Sequence, residues 1–157
     1  DYQQLALPIE AHEHDYSAES YVVSESNRKA YELLTRWPMW PGPCVILVGA
    51  EGSGKTHLAN IWRELSFAQW VDGRELDAQY YHHNQANIVV DDIEQASEEM
   101  LFHLYNWVKQ QKSGLLLTSE KPVSELNITL PDLRTRLNAA VDVHIEAPDD
   151  MMFEAEL

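Results

Sequence analysis

The chain contains the stretch Gly49-Ala50-Glu51-Gly52-Ser53-Gly54-Lys55-Thr56, directly after the apolar, largely β-branched run Cys44-Val45-Ile46-Leu47-Val48. The stretch matches the pattern G-x-x-x-x-G-K-[ST], and residues 57–62 favour a helix. A strand, a glycine-rich loop and a helix in this order are typical of a phosphate-binding loop, in which backbone N–H groups and the positive end of the helix dipole face phosphate oxygens. The sequence therefore predicts a nucleotide-binding protein.

Individual positions of this loop have expected roles toward the nucleotide. Lys55 would reach the β- and γ-phosphates, and the Thr56 hydroxyl would ligate Mg²⁺. The predicted phosphate contacts from the pattern are Gly49, Gly52, Ser53, Gly54, Lys55 and Thr56. The alternative is a glycine-rich turn that contains Lys-Thr without binding phosphate, which the flanking strand and helix disfavour.

Composition and charge narrow the class of protein. A chain of 157 residues with 45% apolar content is expected to fold as one domain with its own core. The net charge of −15 would repel the phosphate backbone, so we expect no direct DNA binding by this chain. The lone Cys44 and the lack of an apolar run near the ~20 residues of a membrane span indicate a cytoplasmic protein without a membrane segment.

Short apolar segments alternate with helical segments along the chain, which predicts an α/β fold with a parallel sheet. The predicted strands are 44–48, 68–71, 87–90, 115–118 and 141–145. We expect one helix to end near Trp37, the helix after the glycine loop to run to about Glu64, and another to extend from an N-cap at Ser97 to a stop at Gly114. The carboxyl ends of the strands are the expected ligand-binding edge.

Polar residues follow two of these strands. Ile88-Val89-Val90-Asp91-Asp92 has the form of a Walker B strand, in which Asp91 would hold Mg²⁺ through water and Asp92 would activate water. The short Asp92 side chain predicts slow turnover. Thr118-Ser119-Glu120 is a candidate γ-phosphate sensor, with Glu120 among the predicted nucleotide contacts. The alternative for both segments is an ordinary polar turn.

Two arginines, Arg134 and Arg136, lie in the segment 130–137. An arginine that projects between subunits can neutralise charge in a partner's phosphoryl-transfer site. Exposed arginines are common, so the residues alone leave open a plain surface role for both.

In combination, these motifs resemble the AAA+ domain of the bacterial initiator DnaA and, more closely, the shorter DnaA paralogues of the Hda family. The resemblance rests on Gly-Lys-Thr-His-Leu at 54–58, Val-Val-Asp-Asp-Ile at 89–93 and Leu-Thr-Ser-Glu at 117–120. Arg-Trp-Pro-Met-Trp-Pro at 36–41 and His-Leu-Tyr-Asn at 103–106 are the Hda-like features. The resemblance implies a P-loop NTPase fold of AAA+ type with strand order 5-1-4-3-2, and ADP or ATP with Mg²⁺ as cofactors.

The resemblance also suggests roles for individual residues. It adds His57 to the nucleotide contacts and places Arg136 at the arginine-finger position, with Arg134 as the alternative. Four residues resemble the family's adenine-binding box: Tyr21, Val22, Val23 and Asn27. Gln4-Leu5-Ala6-Leu7-Pro8 resembles the motif that binds the β sliding clamp of DNA polymerase III, with Gln4, Leu5, Leu7 and Pro8 as the expected contacts.

The implied organisation is an N-terminal arm at 1–20 and an AAA+ base domain at 21–157, ending where a small helical lid would begin. The implied function is negative regulation of replication initiation, in which the chain binds DnaA and the clamp and promotes hydrolysis of DnaA-bound ATP. A slow DnaA-like ATPase, a nucleotide-switched adaptor with another partner, and a scaffold that merely holds ADP are the alternatives. Self-association and the reason for the missing lid are left open.

Overall fold

The computed structural model describes residues 23–77 and 86–146, which form a parallel sheet with helices on both faces. The strands are β1 Cys44–Gly49, β2 Gln69–Asp72, β3 Ile88–Asp91, β4 Leu115–Ser119 and β5 Val141–Ile145. The helices are α1 Arg28–Thr35, α2 Lys55–Ser66, α3 Glu98–Gln111 and α4 Pro131–Ala139. Short 3₁₀ turns lie at Gly73–Glu75, Ile93–Gln95 and Val123–Glu125.

The strand order is β2-β3-β4-β1-β5 with every pair parallel, which confirms the predicted order 5-1-4-3-2. The register pairs Val48 with Ser119 and Val90 with Leu117, so the carboxyl ends of β1, β3 and β4 lie at one edge of the sheet. The glycine loop, the acidic pair and the polar end of β4 therefore converge there, as the sequence predicts.

Both faces of the sheet are covered, which explains why the three inner strands β1, β3 and β4 are almost continuously apolar. Helices α3 and α4 pack on one face, and α1 and α2 pack on the other. Along β1 the side chains alternate between the two cores, with Ile46 on the α3–α4 side and Leu47 on the α1–α2 side. Trp62 of α2 is fully buried, and the rings of Trp37 and Trp40 lie 5.4 and 4.9 Å from it at the rim of the core.

The end of α3 differs from the prediction. The helix ends at Gln111, and Lys112 rather than Gly114 adopts the left-handed conformation, with φ of 60°. Gly114 has a different role, because a Cβ there would lie 2.5 Å from the ring of Trp37. The start of the helix is as predicted: the Ser97 side chain accepts the N–H of Met100 at 3.2 Å. The lack of a Cβ at residue 114 therefore allows the Trp37 ring to pack against the backbone there.

Several predictions concern parts of the chain outside the described residues. These are the clamp motif at 4–8, Tyr21 and Val22 of the adenine box, and the end of the base domain at 157. Within the described ranges, no helix is long and apolar enough to cross a membrane.

Candidate nucleotide-binding site

The loop between β1 and α2 has a backbone that depends on glycine. Gly52 and Gly54 have φ values of 83° and 96°, in the left-handed region that residues with a Cβ rarely adopt. Gly54 is the N-cap of α2 and Lys55 is its first residue. The N–H groups in the first turn of a helix have no intrahelical acceptor, so this turn is suited to bind an anion.

The first glycine of the pattern, Gly49, is required for a close approach rather than for its torsion angles. A Cβ at Gly49 would lie 2.6 Å from the hydroxyl oxygen of Ser53. Ser53 therefore lies directly against the end of β1. Its backbone N–H donates to the Ala50 carbonyl at 3.0 Å. The Ser53 hydroxyl is buried and has no hydrogen-bond partner among the described residues.

An open depression of about 270 Å³ lies over this loop. Thr56 is exposed in it, and the side chains of Lys55 and His57 are partly buried. Its lining consists of Glu51, Gly52, Gly54, Lys55, Thr56 and His57. The residues predicted to contact phosphate therefore lie together around one opening, with Gly49 and Ser53 beneath it.

A single buried hydroxyl joins the acidic pair to the neighbouring strand. Thr118 donates its hydroxyl proton to Oδ1 of Asp91 at 2.6 Å and accepts the backbone N–H of Asp92 at 2.8 Å. Thr118 is fully buried, whereas Asp91 and Asp92 are partly exposed. The second carboxylate oxygen of Asp91 has no hydrogen bond to the described residues, which leaves it available for a water molecule or a cation.

Gly73 supports the acidic pair from the other side. A Cβ on Gly73 would lie 2.3 Å from the carbonyl oxygen of Asp92 and 3.1 Å from that of Asp91. Asp92 itself has a φ of 68°, so its turn is already in an uncommon conformation. Gly73 after β2, the Asp92 turn after β3 and Thr118 near the end of β4 therefore determine together where the two carboxylates lie.

Two further acidic residues, Glu94 and Glu120, lie next to the acidic pair. Oε2 of Glu94 accepts the N–H of Glu120 at 2.7 Å and the hydroxyl of Ser119 at 3.1 Å. Burial raises the pKa of Asp92 to about 6, helped by its hydrogen bond with Glu94 and by the negative charges of Glu94, Asp91 and Glu120. Burial also acts to raise the pKa of Glu94, but hydrogen bonds from Asp92 and from backbone N–H groups lower it overall. Of the two, Asp92 is the group that binds a proton first as the pH falls.

Glu120, a predicted nucleotide contact, has an exposed side chain in an opening that Asp92 and Glu94 also line. Its described hydrogen bond is made by its backbone N–H rather than by its carboxylate. A direct contact between the Glu120 side chain and a nucleotide stays a prediction.

Two residues of the predicted adenine box lie in the described part of the chain. Val23 is 42% exposed, and Asn27 is buried at the start of α1, where its side-chain oxygen accepts the N–H of Ser24 at 2.9 Å. The Glu146 N–H, directly after β5, is donated to the carbonyl of Ser26 at 3.0 Å. Because β5 pairs with β1, this bond holds the segment beside the strand that leads into the glycine loop.

Helix α4 carries both candidate arginines. Arg134 donates from Nη1 to the Ile128 carbonyl at 3.2 Å. Arg136 is partly buried against α3, where its guanidinium lies 5.7 Å from the ring centre of Phe102 and its Nε is 3.4 Å from Oδ1 of Asn106. Since α4 and α2 pack on opposite faces of the sheet, Arg136 does not line the depression over the glycine loop.

Comparison with known proteins agrees with this geometry. No protein-family model matches the chain. The chain is 25% identical over 161 residues to the chromosomal replication initiator protein DnaA of Nautilia profundicola, a match that covers 86% of this chain and 37% of that protein. The chain is a homologue of DnaA. It spans little more than a third of the length of this relative.

Solved DnaA structures share the fold. AMPPCP-bound DnaA from Aquifex aeolicus superposes with a TM-score of 0.77 at 19% identity, covering 90% of this chain and 53% of that one. Domain III of DnaA from Thermotoga maritima gives a TM-score of 0.76 at 17% identity, covering 90% of this chain and 71% of that one. The α/β fold of this DnaA homologue is therefore that of the AAA+ domain III of DnaA.

Sequence reasoning missed two residues that shape the site of this DnaA homologue. Gly73 follows Asp72 at the end of β2, and an Asp-Gly pair is a turn signal that could have marked it. Glu94 has no such signal, because its hydrogen-bond partners Ser119 and Glu120 lie about 25 residues away along the chain.

Proposed function

We propose that this chain is an adenine-nucleotide-binding regulator of replication initiation that promotes hydrolysis of the ATP bound to DnaA. The observation that carries the proposal is the separation of two features. A preformed phosphate-binding loop lies at one edge of the sheet, and Arg136 lies on the face opposite the helix of that loop. The loop would hold this chain's own nucleotide, and Arg136 would act on the nucleotide of a partner.

The residues of the site fit ADP or ATP with Mg²⁺. Gly52 and Gly54 bring backbone N–H groups to the depression without a Cβ that would fill it. Lys55 supplies a positive charge beside these groups. The Thr56 hydroxyl and the second carboxylate oxygen of Asp91 are oxygen donors of the type that Mg²⁺ binds, with the rest of its shell left to water and phosphate. Bound Mg²⁺ would neutralise phosphate charge.

Arg136 is better suited than Arg134 to act on a partner. Its hydrogen bond to Asn106 is long at 3.4 Å, and its contact with the Phe102 ring is a cation–π interaction at a partly exposed site, which is weak. Such contacts can be exchanged for phosphate oxygens. Arg134, in contrast, makes a shorter hydrogen bond to the Ile128 carbonyl. An engaged arginine finger raises the rate of hydrolysis by roughly 10³–10⁵.

The predicted partners are DnaA and the β sliding clamp. Residues 4–8 would bind the clamp as an extended peptide, with Leu5 and Leu7 in an apolar pocket and the Gln4 amide setting the register. The clamp would then bring the chain to DNA indirectly, which suits its net charge of −15.

The test is hydrolysis of DnaA-bound ATP in the presence of clamp loaded on DNA. We expect the unmodified chain to stimulate hydrolysis, Arg136→Ala to abolish stimulation, and Arg134→Ala, the matched control on the same helix, to retain it. A Leu5→Ala/Leu7→Ala variant should lose stimulation together with clamp binding. If Arg136→Ala stimulates normally, the arginine assignment is wrong; if the unmodified chain does not stimulate, the proposed function is wrong.

One observation favours a second candidate, a slow ATPase whose turnover is intrinsic to this chain. Asp92 lies at the carboxyl edge of the sheet, and its pKa of about 6 is close to that of a general base at neutral pH. Under this alternative, the chain alone would hydrolyse ATP and Asp92→Asn would remove the activity. Negligible ATP hydrolysis by both the unmodified chain and the Asp92→Asn variant would exclude this alternative.

A further inference from the structure

Helix α4 depends on other segments for its orientation. Its N-cap is Leu130, whose side chain cannot accept a hydrogen bond, and Pro131 is its first residue. The helix buries only Leu133 and Leu137 in the core. Two buried residues in a nine-residue helix leave its rotation weakly determined by apolar packing, although this helix carries both candidate arginines.

Glu98, in the first turn of α3, holds the two residues that lead into α4. Its Oε1 accepts the N–H of Leu130 at 2.8 Å and the hydroxyl of Thr129 at 3.0 Å, and its Oε2 accepts the N–H of Thr129 at 3.1 Å. These partners lie 31 and 32 residues along the chain. Helix α3 has its own N-cap in Ser97, so the Glu98 carboxylate is not needed to cap α3 and binds the segment that leads into α4. Hydrogen bonds to an ionised carboxylate are among the stronger ones in proteins.

The same carboxylate acts on Arg134. Burial acts to raise the pKa of Glu98, but the hydrogen bonds from Thr129 and Leu130 and the positive charge of Arg134 lower it overall. Arg134 is therefore attracted toward Glu98 while it donates to the Ile128 carbonyl at 3.2 Å. The hydrogen bond to Ile128 directs Arg134 back toward the segment that enters α4.

Arg136 lies elsewhere on the same helix. Two residues along an α-helix correspond to a rotation of about 200°, so Arg134 and Arg136 leave α4 in nearly opposite directions. Arg136 contacts Phe102 and Asn106, which follow Glu98 on α3 at intervals of four residues. Residues at this spacing share one face of a helix. One stripe of α3 therefore contacts both the residues that lead into α4 and Arg136 within the helix.

We infer that Glu98 is a positioning residue for α4: its carboxylate holds Thr129 and Leu130, directly before the helix, so that Arg136 is presented to the anionic polyphosphate of a partner. The inference rests on the proposed function, because it gives Glu98 a part in delivering Arg136.

The test compares Glu98→Gln and Glu98→Ala with Glu99→Gln, which removes the same charge from the next, exposed residue. Two quantities are measured: amide hydrogen exchange at Thr129 and Leu130, and the DnaA-bound ATP hydrolysis stimulated by saturating chain. We expect Glu98→Ala to speed exchange at both amides while exchange in the sheet is unchanged, and to lower the saturated rate about tenfold. Glu98→Gln should lie between Glu98→Ala and the unmodified chain, because its amide oxygen still accepts.

Further readouts separate positioning from a general loss of structure. The chain concentration that gives half of the maximal stimulation should be unchanged in Glu98→Ala, and Glu99→Gln should behave as the unmodified chain. Faster exchange at 129 and 130 with full stimulation would overturn the inference, and so would lost stimulation without faster exchange. A rise in the half-maximal concentration alone would show a role in partner binding and overturn it too. No stimulation by the unmodified chain would overturn the proposed function and, with it, this inference.

Discussion

Thr118, near the end of β4, donates its hydroxyl proton to Asp91, at the end of β3, over 2.6 Å. The same oxygen accepts the N–H of Asp92 over 2.8 Å. One buried side chain thus fixes the rotamer of the first carboxylate and the backbone turn at the second. Loss of the Thr118 hydroxyl would therefore remove both bonds at once.

We expect Thr118→Val to lower the free energy of unfolding by about 1–3 kcal/mol, because valine keeps the shape but leaves the Asp91 carboxylate and the Asp92 N–H without their partner. The measurement is urea unfolding followed by tryptophan fluorescence. Thr118→Ser is the control, since it retains the hydroxyl. Equal stability of the valine and serine variants would contradict the importance of the two hydrogen bonds.

Gly73→Ala should displace the Asp91–Asp92 turn, because its Cβ would lie 2.3 Å from a backbone oxygen that cannot move independently. The expected loss in stability is about 1–3 kcal/mol, as for overpacked sites, together with weaker nucleotide binding. Thermal unfolding and ADP titration would measure the two effects. Gly42→Ala is the matched control, because a Cβ at Gly42 has no atom within 4 Å. Similar losses of stability in Gly73→Ala and Gly42→Ala would show that the close approach of the Asp92 carbonyl to Gly73 is not the cause.

The pKa of Asp92 predicts a specific pH dependence of stability. In the native state the pKa is raised from 3.8 to about 6, so the native state binds this proton more tightly than the unfolded chain does. The contribution of this group to stability is therefore present below about pH 4 and is lost as the pH rises to about 6. Above that range, ionised Asp92 destabilises the fold by repulsion from Glu94, Asp91 and Glu120.

Asp92→Asn should accordingly raise the free energy of unfolding at pH 7, by ~1 kcal/mol after allowance for the partial exposure of the site. Urea unfolding at several pH values between 4 and 7, with EDTA present to exclude metal ions, measures the effect. Glu99→Gln, at an exposed position, should leave the pH dependence as it is. An unchanged slope between pH 4 and 6 in Asp92→Asn would show that Asp92 titrates normally.

Nucleotide binding should stabilise the chain through Lys55. ADP at 100 times its dissociation constant should add about 2.7 kcal/mol to the free energy of unfolding. Lys55→Ala should lose this stabilisation, whereas Lys121→Ala, which removes a cation from the loop after β4, should keep it. Differential scanning fluorimetry with and without ADP is the measurement. If both variants respond to ADP as the unmodified chain does, the ligand is not held by Lys55.

The fold class could be predicted from local patterns, and the strand order from the family resemblance. The inner strands are apolar runs such as 44–48 or 115–118, because strands covered on both faces bury nearly every side chain. The glycine loop could be recognised because its chemistry is local: the glycines, Lys55 and Thr56 are neighbours in the chain and in space. Helix ends were predicted less accurately than strands: the stop expected at Gly114 lies instead at Lys112.

The sequence by itself determined the fold class, the strand order and the phosphate-binding loop, since each follows from residues that are close together in the chain or from a resemblance carried by short motifs. Only the tertiary structure decided that Gly73 supports the Asp92 turn, that Gly114 accommodates Trp37, and that Glu98 holds the residues leading into α4. These contacts join segments separated by about 20 to 80 residues, and the side chains involved follow no periodic pattern. Their partners are determined by how helices and strands pack, which is a property of the whole domain rather than of any one segment.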